Sequence, residues 1–205
     1  MTELQAAVEL QGRVRDTDND PKPISDLLDV LGDEERVEAL LSLGKWDLDR
    51  LWRSVEGYRS VQLTDLVPAS TPAMVPVRHF GRNSLPVFSR FEKRFFRPEG
   101  ADQDEPAELG GANFQTLSPV TGPGYFVAVD NPNRTEIVID YRRLPSAAPE
   151  GWPPIVDNER GFSRFVYGSM VDTLRRVSEH VTIGSASRNG RELGTYFVLC
   201  RQSRP

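Results

Sequence analysis

The sequence holds one cysteine, two histidines and three lysines in 205 residues. A lone thiol cannot close an intramolecular disulfide, which excludes a disulfide-stapled scaffold. His79, His180 and Cys200 are too few for the roughly four ligands of a structural zinc site, and H-E-x-x-H and C-x-x-C are both missing, so no metal is expected. No run approaches the roughly 20 apolar residues of a membrane helix, so no transmembrane segment is expected. Met1 to Asp20 is rich in carboxylates and lacks the apolar stretch of a signal peptide, which leaves a cytoplasmic location as the expectation. Neither G-x-S-x-G nor G-x-G-x-x-G occurs, so neither a serine nucleophile elbow nor a nucleotide cofactor is expected.

What is present suffices for a core: 38% hydrophobic residues, with ten Phe, five Tyr and three Trp. The net charge of −5 argues against specific nucleic-acid binding. That charge is unevenly spread. Residues 78–97 carry six basic side chains against one acidic, and residues 99–108 carry five acidic and no basic.

Residues 1–23 read as a polar tail, in which a short amphipathic helix over Leu4–Val14 has too few apolar residues to stand without a partner. Asp16, Asp18 and Asp20 match the first three liganding positions of a calcium loop, but Pro21 stands where its glycine belongs and Leu27 where its glutamate belongs. Residues 24–60 read as a helical subunit. Ser25 or Asp26 starts one helix, Asp33 a second and Asp47 a third, where Leu48, Leu51, Trp52 and Val55 share a face. Residues 61–205 read as an α+β domain with a solvated acidic loop at 98–112.

Within that domain, the β-branched stretch Thr135–Tyr141 is the clearest strand, with Ile137, Ile139 and Tyr141 on one face. Asn113–Leu117, Tyr125–Val129, Val181–Ser187 and Leu193–Cys200 also read as strands, the last two joined at Asn189-Gly190. Residues 87–97 fit either period and are taken as a helix on the spacing of Phe88, Phe91 and Phe95. Residues 162–178 read as a long helix, because Phe162, Phe165, Val166, Met170, Val171, Leu174 and Val177 form a stripe at helical spacing. The expected fold is a curved or partly closed antiparallel sheet of about five or six strands, covered by that one long helix, with the helical subunit outside. In architecture this is similar to small calycin-like barrels that bind hydrophobic ligands.

Three functions fit. The first is a cytoplasmic binding protein for a small apolar or lipid-like ligand with an anionic head. Tyr125, Tyr141 and Tyr196 would line its cavity, because tyrosine joins an apolar body to a polar tip, and Arg143 or Arg176 would meet the anion. The second is a protein-interaction module, with the acidic helices and the basic-aromatic segment as surfaces. There Arg78, Arg82, Arg90, Lys93, Arg94 and Arg97 form a patch for an anion or a protein partner. The third is an enzyme in which His180 acts as acid and base beside Glu179, Asp140 or Asp172.

Overall fold

A computed structural model describes residues 1–16, 20–85, 89–114, 124–131, 135–158 and 167–202. Eight strands form a closed antiparallel barrel in strict chain order. They are β1 (Val77–Asn83), β2 (Arg90–Phe96), β3 (Leu109–Phe114), β4 (Tyr125–Asp130), β5 (Ile137–Asp140), β6 (Met170–Arg176), β7 (Val181–Arg188) and β8 (Arg191–Arg201). Each strand pairs with the next and β8 returns to β1, so among the described residues no sheet edge is left open. The fold is thus α+β with a calycin-like barrel, with more strands than expected.

Two expected helices are strands. Arg90–Phe96 pairs with both β1 and β3, and Met170–Arg176 pairs with both β5 and β7. No long helix covers the sheet over 170–176; residues 162–166 of that expected element lie outside the described residues. So do residues 115–117 of the strand expected at 113–117, and 132–134 of the loop before β5. The β7–β8 hairpin turns at Asn189 and Gly190, with φ of 52° and 75°, as its sequence requires.

Side chains alternate across the wall. Phe95, Phe126, Ile137, Ile139, Leu174, Phe197 and Leu199 fill the inside, where α5 (Leu63–Leu66) closes one end with Leu63 and Leu66. Tyr196, Val198 and Cys200 point outward from β8, and Val181 and Ile183 outward from β7. Onto them pack α1 (Glu3–Asp16), α2 (Lys22–Val30), α3 (Asp33–Leu41) and α4 (Lys45–Ser54) in a second core. Arg175 ties the two cores together. Its guanidinium stacks 3.8 Å over the Trp52 ring of α4, and it bonds Glu136 at 2.8 Å and the Trp52 carbonyl at 3.0 Å.

Residues 3–16 are not a tail. They form α1, whose Ala6, Leu10 and Val14, spaced four apart, are fully buried against the other helices. Arg15 adds a two-pronged pair with the Asp47 carboxylate, which also accepts the Gly44 N–H and so serves α4 from its third position rather than as its cap. The loop at 98–112 ends early, because Leu109 already begins β3.

Candidate functional site

An eight-stranded barrel is just wide enough to be filled by side chains or to hold one small molecule. Here the two halves of the interior differ. The half toward α5 is packed with apolar side chains. The other half holds a cavity of about 350 Å³, at the lower end of the range for ligand pockets. Its upper wall is apolar: Leu85, Phe91, Met170, Ala186, Leu193 and Phe197. Asn83, Thr195 and Arg188 stand where β1, β8 and β7 reach its mouth.

The interior leaves room for this cavity because its rings lie against the wall. Phe197 pairs with Gly184 and Phe91 with Gly81 across neighbouring strands. A Cβ on Gly184 would stand 2.2 Å from the Phe197 ring, and one on Gly81 would stand 2.6 Å from the Phe91 ring. Each ring therefore occupies the volume its neighbour's side chain would fill, and the lumen stays open.

At the floor of the cavity, where it meets the apolar half, four polar side chains converge from four strands or strand ends. They are Lys93 of β2, Asn113 of β3, Tyr141 just after β5 and Asp172 of β6. The Lys93 ammonium donates to Asn113 Oδ1 at 2.9 Å, to Asp172 Oδ2 at 3.2 Å and to the Tyr141 hydroxyl. Tyr141 donates to Asp172 Oδ2 at 3.2 Å and accepts from Asn113 Nδ2 at 2.8 Å. The register makes Lys93 and Asn113 direct cross-strand partners, and it sets Asp172 between Ile139 and Ala186. Tyr167 stacks on Tyr141 at 5.4 Å and completes the wall. The rings of Phe91, Phe126, Tyr141 and Phe197 all lie within 5.7 Å of the Lys93 nitrogen.

Burial governs the protonation of this group. Desolvation pushes the Lys93 ammonium below the usual lysine value, against the attraction of Asp172. It pushes Asp172 above the usual carboxylate value, against Lys93 and the two hydrogen bonds. The Tyr141 hydroxyl is held well above its ordinary value by burial and then by Asp172. Tyr167 is pushed by burial to about 12, with its Asn113 contact opposing. Both tyrosines are therefore neutral donors at neutral pH. Asp172 Oδ1 is buried and has no hydrogen-bond partner among the described residues.

The residues singled out from sequence are dispersed. Of the three tyrosines, Tyr141 lines the cavity. Tyr125 lies on the outer side of β4, its hydroxyl donating to the Pro153 carbonyl at 2.5 Å beside Trp152. Tyr196 stacks on Trp52 in the helical core. Arg143 pairs with Glu108 at 2.5 Å, and Arg176 with Asp65 at 3.0 Å near α5, so neither reaches the cavity; Arg188 is the arginine that does. His180 sits in the β6–β7 hairpin, at the opposite end of the barrel from Met170 and Arg188.

The basic segment divides between the two faces of β1 and β2. Arg78 and Arg94 share Glu92 on the outside, and Arg82 donates to the Leu41 carbonyl. Arg97 is buried and donates to the Thr71 carbonyl at 2.5 Å, while Arg90 is exposed. Lys93 alone of the six points into the lumen. The acidic loop does not bind these arginines; Asp102 instead accepts the N–H groups of Asp104 and Glu105 in its own turn.

Asn113 and Tyr167 carried no signal in the sequence, since only closure of the barrel brings them to Lys93. Asp172 was considered solely as a partner of His180, which lies at the other end. The chain matches no protein-family model, and it matches no curated protein.

Proposed function

We propose that the barrel binds a small molecule with an apolar or aromatic body and an uncharged polar end. The body lies among Phe91, Phe197, Tyr167 and Met170, and the polar end meets Lys93, Tyr141 and Asp172. One observation carries this reading: Asp172, buried and lining the cavity, keeps an oxygen without a hydrogen-bond partner among the described residues. An unsatisfied buried acceptor costs about 1–3 kcal/mol, which a hydroxyl or N–H on the ligand would recover. The same oxygen disfavours an anionic head at the floor, since Asp172 already answers the Lys93 charge. A negative group would have to stay at the mouth, near Arg188.

The test is titration of the full chain with fluorescent naphthalenes that differ only in the polar end. A naphthol or naphthalenemethanol should bind saturably at micromolar concentration, and the naphthoate at least about tenfold more weakly, a difference of about 1.4 kcal/mol. Asp172→Asn, which offers a donor in place of an acceptor, should narrow that gap. No saturable binding of any of them, or a preference for the carboxylate, would overturn the proposal.

A further inference from the structure

We propose that Lys93 is a carbonyl-reactive amine, which joins a small aromatic or apolar aldehyde or ketone in the cavity to its Nζ as an imine. This rests on the ligand-binding reading above and goes beyond it, from a cavity that holds a molecule to one that reacts with it.

The geometry provides each part. The amine is 2% exposed, yet it and its three hydrogen-bonding partners all line the cavity. The carboxylate that pairs with Lys93 lies 3.2 Å away and can take its proton, leaving a free amine beside a neutral acid. Burial favours that neutral pair, since it lowers the lysine and raises the aspartate. The titratable or charged groups facing Lys93 are Asp172, Tyr141, Tyr167, its cross-strand neighbour His79 on β1 and, at the mouth, Arg188. Of these, Asp172 alone opposes loss of the ammonium charge to a resolved extent.

The step balances with no further reactant. The Nζ lone pair attacks the carbonyl carbon, a C–N bond forms, and the carbonyl oxygen takes a proton from Asp172 or Tyr141. The nitrogen of the resulting carbinolamine gives up its remaining extra proton through the same pair. The hydroxyl takes a proton from Asp172 and leaves as water, the C=N bond closes as a protonated imine, and its nitrogen returns the last proton to the Asp172 carboxylate. One amine and one carbonyl become one imine and one water, with no oxidation or reduction. Tyr141, hydrogen-bonded to both Lys93 and Asp172, is placed to donate to the oxygen as it leaves.

The composition makes the test clean. Lys22, Lys45 and Lys93 are the three lysines, and the first two are exposed. The full chain is incubated at pH 7 with 6-methoxy-2-naphthaldehyde and sodium cyanoborohydride, which reduces the imine to a stable amine. Intact mass and peptide mapping then count and locate the adducts. Binding of the matching naphthalenemethanol is measured in parallel. Burial lowers the Lys93 ammonium and so leaves more free amine at neutral pH, and the cavity holds the aldehyde beside it, so Lys93 should label at least about tenfold faster than Lys22 or Lys45. Saturating alcohol should block that labelling. Tyr141→Phe should slow labelling about tenfold at saturating aldehyde, where the rate is read apart from whatever alcohol affinity the variant loses.

Saturable alcohol binding with labelling spread evenly over the lysines and the N-terminus would overturn the imine and leave the binding reading intact. Labelling of Lys93 that the alcohol does not block would also overturn it, because the amine would then be reached from elsewhere. No saturable binding of either compound would overturn both. The wild-type map decides the matter even if Lys93→Arg, the direct control, fails to fold.

Discussion

His79 should make this barrel acid-sensitive at a pH where its carboxylates are still ionised. The ring is 1% exposed on the inner side of β1, with Nε2 at 3.0 Å from the Leu66 carbonyl and the Phe95 ring edge-on at 4.8 Å. Burial lowers its pKa from 6.5 to about 3, against the hydrogen bond to Leu66; nearby Arg201 lowers it further and Glu92 opposes. The folded state thus keeps His79 neutral, while the unfolded chain takes up a proton below about pH 6.5. Stability is fully present above that value and falls as pH drops toward 3. Over the interval from pH 7 to pH 4 the linkage amounts to about 3 kcal/mol. That is a large part of the about 5–15 kcal/mol of a typical domain. Urea unfolding at the two pH values, on wild type and His79→Gln, isolates the effect. The glutamine amide keeps a donor for Leu66 but does not titrate. Asp47, Glu92 and Asp140, whose pKa values are lowered, lose stability at still lower pH, and Asp172 and Asp130, whose values are raised, act with the opposite sign. These terms, and the His180 term, are common to both proteins and cancel in the difference. The variant should be less stable at pH 7 but lose about 3 kcal/mol less on acidification. Parallel profiles would refute the buried neutral histidine.

Leu10→Ala should lower stability by about 2–5 kcal/mol, because this α1 side chain is fully buried; an unchanged melting curve would mean that the helix is undocked in solution. Gly184→Ala should push the Phe197 ring into the lumen and weaken naphthalenemethanol binding at least about tenfold, with the barrel still folded by circular dichroism. Unchanged affinity would show that this ring does not bound the ligand. Lys93→Met should destabilise by about 3–5 kcal/mol at neutral pH, and by less in acid, where the abandoned Asp172 takes up a proton. The double variant Lys93→Met/Asp172→Leu should regain most of that loss in denaturant titrations, and a double variant no better than the single would contradict the reasoning.

Three of the strands legible in the sequence carry no charge in the middle of the inner face. β5 alternates cleanly through Ile137 and Ile139, and β7 and β8 are marked by their Asn-Gly turn. The two strands mistaken for helices are the two that carry the buried ion pair. In β2 the inward set is Phe91, Lys93 and Phe95, and in β6 it is Met170, Asp172 and Leu174. A charge in the middle of an apolar face breaks the period of two, and chance spacing of the flanking apolar residues then imitates a helical stripe. The buried polar group thus hid the strands that carry it, because it breaks the local pattern each strand would otherwise show. α1 was read as part of a tail for a different reason. Its buried face is only Ala6, Leu10 and Val14, too little to hold an isolated helix, and it is stable because α3 and α4 supply the partner surface. All three tyrosines were chosen for an apolar body with a polar tip; Tyr141, just after β5, lines the cavity, whereas Tyr125 and Tyr196 fall on the outward side of their strands.

Stability alone does not account for the polar floor. The half of the barrel toward α5 shows what these strands can pack: Phe95, Ile137, Ile139, Leu174 and Leu199 fill it without a charge. A well-packed apolar set in place of Lys93, Asn113, Tyr141 and Asp172 would be as stable or more so, since taking two ions out of water costs several kcal/mol each before their attraction repays it. The position of the group is what that cost secures. Deeper in the apolar half, the amine would be desolvated but beyond the reach of any molecule. At the mouth beside Arg188 it would be reachable, but water would keep it an ordinary ammonium. At the junction of plug and cavity it is both dehydrated and accessible. Strand register, rather than a loop, fixes it there, with Asn113 directly across from Lys93 and Asp172 held between two neighbouring strands. The cladding serves the same end. The helices cover β7, β8 and β1, and Trp152 packs on Phe96, Phe114 and Tyr125 outside β2, β3 and β4. The wall that aims the lysine is therefore supported from behind, and the side of the amine left free is the one that faces the cavity.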